Sequence, residues 1–124
     1  MTGRQDEAYL LGLRLRGRRV VVVGGGAVAA RRVPRLLAAG ADVLLVSPAA
    51  TPAVEELAAA GRIDWRQRPY EKGDCEGAWL VCACAGPPDV NAKVAEEAET
   101  RRIWCVRADD AGRSTAWTPA SGRR

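Results

Sequence analysis

Histidine and phenylalanine are absent from this chain of 124 residues, and lysine occurs only twice against seventeen arginines. Without histidine, neither a Ser-His-Asp arrangement nor a histidine-ligated zinc site can form. Proton transfer must therefore fall to other groups, with carboxylates the natural candidates. Without phenylalanine, the core must be filled by alanine, valine, leucine and the four tryptophans. No apolar stretch approaches the ~20 residues of a membrane span, so no membrane partner is expected. The opening residues Met1–Glu7 lack the apolar segment of a signal peptide, and a cytoplasmic chain is expected. The formal charge is +4, but the arginines are scattered and no aromatic-interleaved basic run occurs, so nucleic acid is not an expected partner. Zinc would favour paired Cys-x-x-Cys spacing. The four cysteines, Cys75, Cys82, Cys84 and Cys105, do not have it. Cys82 and Cys84 lie in the apolar run Ala78–Ala85 and read as small buried hydrophobes. No metal ligand set is assigned.

Residues 18–29 organise what is present. Arg18 and Arg19 lead into Val20–Val23, a β-branched run without polar alternation, which suits a strand buried on both faces. Gly24, Gly25 and Gly26 turn the chain, and Ala27, Val28 and Ala29 open a helical segment. Gly24, Gly26 and Ala29 fit Gly-x-Gly-x-x-Gly/Ala, the phosphate-binding turn of dinucleotide folds. Gly24 permits the tight turn, Gly26 lets backbone approach a pyrophosphate, and Ala29 lets the helix pack close to the strand. The helix start then offers free N–H groups and partial positive charge to phosphates.

The rest of the chain alternates strand and helix. The order predicts a strand at 19–23, a helix over Ala27–Ala39 kinked at Pro34, a strand over Asp42–Ser47, and a helix from Thr51-Pro52 to about Ala60. It continues with strands at Ile63–Arg66, Ala78–Cys84 and Ile103–Val106, a helix over Asp89–Arg101, and a last short strand at Thr115–Thr118. Residues 67–77 read as a loop with room for one helical turn, and Tyr9–Leu15 as a short strand or extended arm. One domain spanning 1–124 is expected, with residues 1–8 and 120–124 as loose tails. Alternation of this kind indicates an α/β fold, a Rossmann-like doubly wound parallel sheet of strand order 3-2-1-4-5.

Ligands of such sheets bind at the carboxyl ends of the strands, where the winding direction reverses. Gly24–Val28, Ser47–Ala49, Cys84–Pro88 and Ala108–Gly112 should therefore face one crevice. Ser47-Pro48-Ala49 carries no arginine to hold a 2′-phosphate, which favours NAD over NADP. Asp109 and Asp110 are the candidate bases beside the crevice.

The stretch Leu13–Arg32, with Ala39-Gly40-Ala41, Asp89-Val90-Asn91, Arg101–Cys105, Ala108-Asp109-Asp110 and Ala116-Trp117-Thr118-Pro119, resembles the N-terminal dehydrogenase domain of sirohaem synthases. These belong to the precorrin-2 dehydrogenase/sirohydrochlorin ferrochelatase family, and the likeness covers about residues 9–121. It implies NAD-dependent dehydrogenation of precorrin-2 to sirohydrochlorin. It further implies cofactor contacts at Gly24, Gly26, Ala27, Val28, Ser47, Pro48 and Ala49, and an essential aspartate at Asp109. The carboxylate-rich tetrapyrrole would find Arg107 and Arg113 nearby. Ala85-Gly86 replaces a Thr-Asp pair common in the family, and Val106 replaces an asparagine, so polar contacts are lost at both places. A helical dimerisation and substrate-binding region follows in family members. The 124 residues leave no room for it, which implies a homodimer or a separate helical or methyltransferase partner. The other reading is a non-catalytic NAD-binding module, or a truncated remnant that needs a partner chain.

Overall fold

The computed structural model describes residues 6–110, 112 and 114–116. Eight elements alternate along it: β1 (Arg19–Val23), α1 (Ala27–Ala38), β2 (Asp42–Val46), α2 (Pro52–Ala59), β3 (Asp64–Arg66), β4 (Leu80–Ala83), α3 (Pro88–Arg101) and β5 (Trp104–Arg107). The strands form one parallel sheet in the order β3-β2-β1-β4-β5. This is the expected Rossmann-like topology. The winding reverses between β1, paired on one side with β2, and β4 on its other side.

The valine run forms the centre because it can be dry on both faces. Val20 and Val22 join Leu45, Val43, Cys82 and Val106 beneath Ala29 and Val33 of α1 and Val54 of α2. Val21 and Val23 point to the opposite face, with Leu44, Val46, Val81 and Cys105, beneath Val94 and Ala98 of α3. Each fully buried valine contributes about 1.5–3 kcal/mol, which compensates for the lack of phenylalanine. All four cysteines are buried free thiols inside these layers. Burial raises Cys84 and Cys105 to about 11. They therefore stay protonated near neutral pH and behave as small apolar side chains.

Local signals set the element ends. Thr51 accepts the Val54 N–H in its side chain and Pro52 occupies the first helical position of α2, as the sequence predicts. Helix α1 runs without a break through Pro34. At the amino-terminal end of the sheet, Arg19 pairs with Asp42 at 3.2 Å and with Asp64 at 3.2 Å. That ion-pair cluster confirms that Asp42 stands at the pole opposite the strand ends that bind ligands.

Several boundaries differ from the sequence reading. β4 is shorter than Ala78–Cys84: Ala78 N–H bonds back to the Cys75 carbonyl in a turn, and Cys84, just past the strand, keeps its N–H bond to the Val23 carbonyl at 2.8 Å. Thr115 and Ala116 form a bend instead of a strand. Both N–H groups converge on the Cys105 carbonyl, so the two residues do not alternate as in a regular strand. Residues 117 and 118 lie outside the described residues, as do Arg113, residues 1–5 of the expected tail at 1–8, and the expected tail at 120–124. Tyr9–Leu15 is an extended arm: it forms no strand, Tyr9, Leu10, Leu11 and Leu13 are exposed, and only Leu15 reaches the core. Among the described residues no helix is long and apolar enough to cross a membrane.

Candidate dinucleotide site

The carboxyl ends of the strands enclose a crevice of about 890 Å³. Its lining includes Gly24–Val28, Val46–Thr51, Cys84–Pro87, Ala108 and Asp109. The sequence-predicted residues Gly24, Gly26, Ala27, Val28, Ser47, Pro48, Ala49 and Asp109 thus share one cavity. Pro88 lies in α3 and Asp110 on the turn beyond, and neither is part of the lining. Pro69, Tyr70 and Val90 line it as well, and nothing local in the sequence marks them for it.

The three glycines have three different reasons to be there. Gly24 has φ +113°, and a Cβ on it would lie 2.5 Å from the Cys84 carbonyl oxygen. A Cβ on Gly25 would collide with the Ala49 carbonyl. Both positions are fixed by backbone crossing backbone: Gly24 N–H donates to Val46 O at 2.9 Å, and the Gly25 carbonyl accepts from Thr51 N–H at 2.9 Å. A Cβ on Gly26 would meet nothing within 4 Å. Packing alone therefore does not demand glycine there, whereas a ligand laid against the backbone does. Gly26 is also the N-cap of α1, with no side-chain cap and no acidic residue in the first turn. The opening N–H groups of α1 have no intrahelical partner and keep their partial positive charge for a phosphate. These features fit a dinucleotide pyrophosphate.

The β2 end is built to hold shape. The Ser47 hydroxyl donates to the Ala49 carbonyl at 2.6 Å, and the Trp65 indole N–H donates to the Ser47 carbonyl at 2.9 Å. Ser47 thus shapes the Pro48-Ala49 turn through its own hydroxyl. On the other side, the fully buried Asn91 of α3 clamps the β4 loop. It accepts the Ala85 N–H at 2.9 Å and donates to the Ala85 carbonyl at 2.8 Å. The loop that carries apolar Ala85-Gly86 is therefore rigid.

Asp109 follows β5. Arg107, a buried residue of that strand, forks onto it with Nε–Oδ1 at 3.2 Å and Nη2–Oδ2 at 3.1 Å. The hydrogen bond and charge of Arg107, with a contribution from Asn91, hold the Asp109 carboxyl below the usual carboxylate range. Asp109 is thus an ionised acceptor throughout the neutral range. Arg107, expected near the substrate carboxylates, is buried and directs Nε and Nη2 to Asp109. The Ser114 hydroxyl accepts the Arg107 N–H at 2.7 Å and donates to the Asp110 carbonyl at 3.2 Å, which ties Ser114 to β5 and to Asp110.

A parallel doubly wound sheet with an open glycine cradle at its switch point and an uncapped helix start above it defines a Rossmann-like dinucleotide-binding domain. The chain belongs to the NAD(P)-binding family NAD_binding_7, which it matches over residues 11–120. It is similar to Siroheme synthase 1 of Aeromonas salmonicida, 40% identical over 107 residues that cover 86% of this chain and 23% of that protein. It is also similar to the precorrin-2 dehydrogenase of Bacillus subtilis, 36% identical over 103 residues, 82% of this chain and 64% of that one. Among solved structures, "SirC, precorrin-2 dehydrogenase" superimposes with a TM-score of 0.68 at 26% identity, over 94% of this chain and 51% of its own. The chain therefore spans about a quarter of the sirohaem synthase it matches and somewhat under two thirds of the Bacillus dehydrogenase.

Proposed function

We propose that this chain is the cofactor-binding part of an NAD-dependent precorrin-2 dehydrogenase that works in the cytoplasm, where four unpaired buried thiols are at home. One observation carries the reading. Asp109, kept ionised by Arg107, stands in the same crevice as the glycine cradle. Gly24, Gly26, Ala27 and Val28 hold the pyrophosphate, and Ser47, Pro48 and Ala49 border the adenosine ribose. A bound nicotinamide supplies the hydride acceptor. What remains for the protein is to hold the tetrapyrrole and take one proton, and Asp109 is placed to receive it. Its low basicity suits a proton made acidic by departure of the hydride. The relatives named for this reaction support the same assignment. NAD rather than NADP is the cofactor of this reading, supported by a described crevice lining that includes no arginine. Arg66, the last residue of β3, and Arg68 beyond it are tied to Asp74 at 3.3 Å and 2.8 Å. The second wall of the substrate site comes from a helical region, supplied by a homodimer partner or a separate chain.

The test is two-part. Calorimetric titration should show NAD bound more tightly than NADP, and reduced cofactor should accumulate when precorrin-2 is added in the presence of the helical region. NAD binding without any turnover under those conditions would favour a non-catalytic module instead.

A further inference from the structure

Among the described residues that line the crevice, Tyr70 is the only one with an aromatic side chain. The other walls are glycine, alanine, valine, proline and short polar side chains. Tyr70 follows β3, the edge strand opposite β5 in the sheet order, and with Pro69 it joins Pro48 and Ala49 in the lining, while its hydroxyl reaches α3. The Asp109 end lies above β5 and is the chemical end. A dinucleotide held at its pyrophosphate on the central glycine turn must extend both ways, which leaves the Tyr70 half for adenosine.

The ring of Tyr70 is unusually well fixed. Its hydroxyl donates to Glu97 of α3, a buried carboxylate 27 residues away. Glu97 also accepts the Cys75 N–H at 3.2 Å and Arg101 Nε at 2.7 Å. The Glu97 carboxylate is thus held from three directions, and the Tyr70 hydroxyl with it. The ring also packs against the core cluster of the α3 face. An ordinary core tyrosine needs a partner for its hydroxyl, but it need not border a ligand cavity. Here one end of the side chain is anchored and the residue still forms part of the crevice wall.

We propose that Tyr70 is the adenine-binding residue of this site, a preset aromatic surface for the base, positioned by Glu97. This rests on the dinucleotide reading above. Aromatic surfaces hold bases with little demand on hydrogen-bond pattern, and a rigid one loses little entropy on binding. It would give the site affinity for the adenosine half without any carboxylate on the ribose.

The experiment uses the full chain, its Y70L and Y70F variants, and three probes: NAD, ADP-ribose and nicotinamide mononucleotide. Calorimetry should show Y70L weakening NAD and ADP-ribose by about tenfold, the size of a single base–aromatic stack, with nicotinamide mononucleotide unchanged. In proton NMR spectra of bound ADP-ribose, the adenine ring protons should shift upfield with wild type and with Y70F, which keeps the ring, and lose that shift with Y70L. A purely structural tyrosine would not produce a ring-current shift. Wild-type affinity of Y70L for ADP-ribose, or adenine protons unshifted in the wild-type complex, overturns the assignment while leaving NAD binding intact. Failure of wild type to bind NAD at all overturns the dinucleotide reading itself.

Discussion

Two irregular segments border the crevice and are built on opposite rules. The turn at 24–26 is held by backbone alone, with Gly24 and Gly25 pressed against Cys84 and Ala49, and it leaves the N–H groups at the start of α1 unbonded by any side chain. The segment at 67–77 is held by buried carboxylates that consume donors. Asp74 accepts the Glu71 N–H at 2.8 Å and both Arg66 and Arg68, and Glu97 accepts Tyr70, Cys75 N–H and Arg101. A turn that binds a phosphate keeps its donors free, whereas a segment that must hold its shape satisfies them internally, even where, as at Tyr70, it presents a residue to the crevice. The difference separates a site from its frame, and each of the following variants is a way to break one side of it.

The largest effect is expected at the chemical end. Asp109→Asn keeps the shape and removes the basic carboxylate, so turnover of precorrin-2 should fall by roughly 10²–10⁴-fold, as for a lost general base, with NAD affinity retained. Asp110→Asn, outside the lining, should change turnover little. Steady-state rates of reduced cofactor formation decide it, and a larger loss at Asp110 than at Asp109 would reverse the assignment.

Next comes the frame. Glu97→Ala strands the Tyr70 hydroxyl and the Cys75 N–H in a buried place, which should lower stability by about 2–3 kcal/mol. Urea unfolding checks this: the midpoint should fall at constant slope.

A smaller effect follows from pH. Burial pushes the Asp74 and Glu97 carboxyls up, but their hydrogen bonds and cationic neighbours outweigh it and both end below their ordinary values of 3.8 and 4.5. A carboxyl depressed in the folded state stabilises it fully above the ordinary value, and the contribution is lost as pH falls through the folded value. The melting temperature should therefore hold down to about pH 5 and then fall steeply. In Glu97→Gln the acid fall should be shallower, and an unchanged slope would remove Glu97 from that role.

The smallest effect is at Arg107. It depresses Asp109, so Arg107→Gln should move the acid limb of the pH–rate profile upward, towards the ordinary aspartate range, with the alkaline side unaffected. An acid limb that stays in place would show that Asp109 does not titrate in the rate-determining step.

The same contrast explains what was legible in the sequence. The valine run, the glycine turn and the sheet order could be read directly, because each depends on neighbours within a few residues. Every predicted cofactor position and Asp109 fell into the crevice for the same reason: the topology gathers the strand ends. Tyr70 and Glu97 could not be paired from sequence, being 27 residues apart with no local pattern that links them. The sequence sets Arg107 near the substrate but does not show its fork on Asp109, because an i, i+2 pair at a strand end gives no sign of which side chain the strand will bury. Thr115 looked like the start of a strand by composition. Its N–H instead converges with that of Ala116 on one carbonyl, which only the packed structure reveals.

The contrast between a turn that keeps its donors and a frame that consumes them is tested most directly at Gly26. A side chain there enters open space, so Gly26→Val should unfold within a few degrees of wild type. It should also fill the place against the backbone where the pyrophosphate lies. Calorimetric titration of NAD into the two proteins, beside their thermal unfolding curves, is the measurement. Binding by wild type and no detectable binding by a well-folded Gly26→Val is the predicted result. Undiminished NAD affinity in the variant would place the cofactor elsewhere and contradict the assignment of the glycine turn as its cradle.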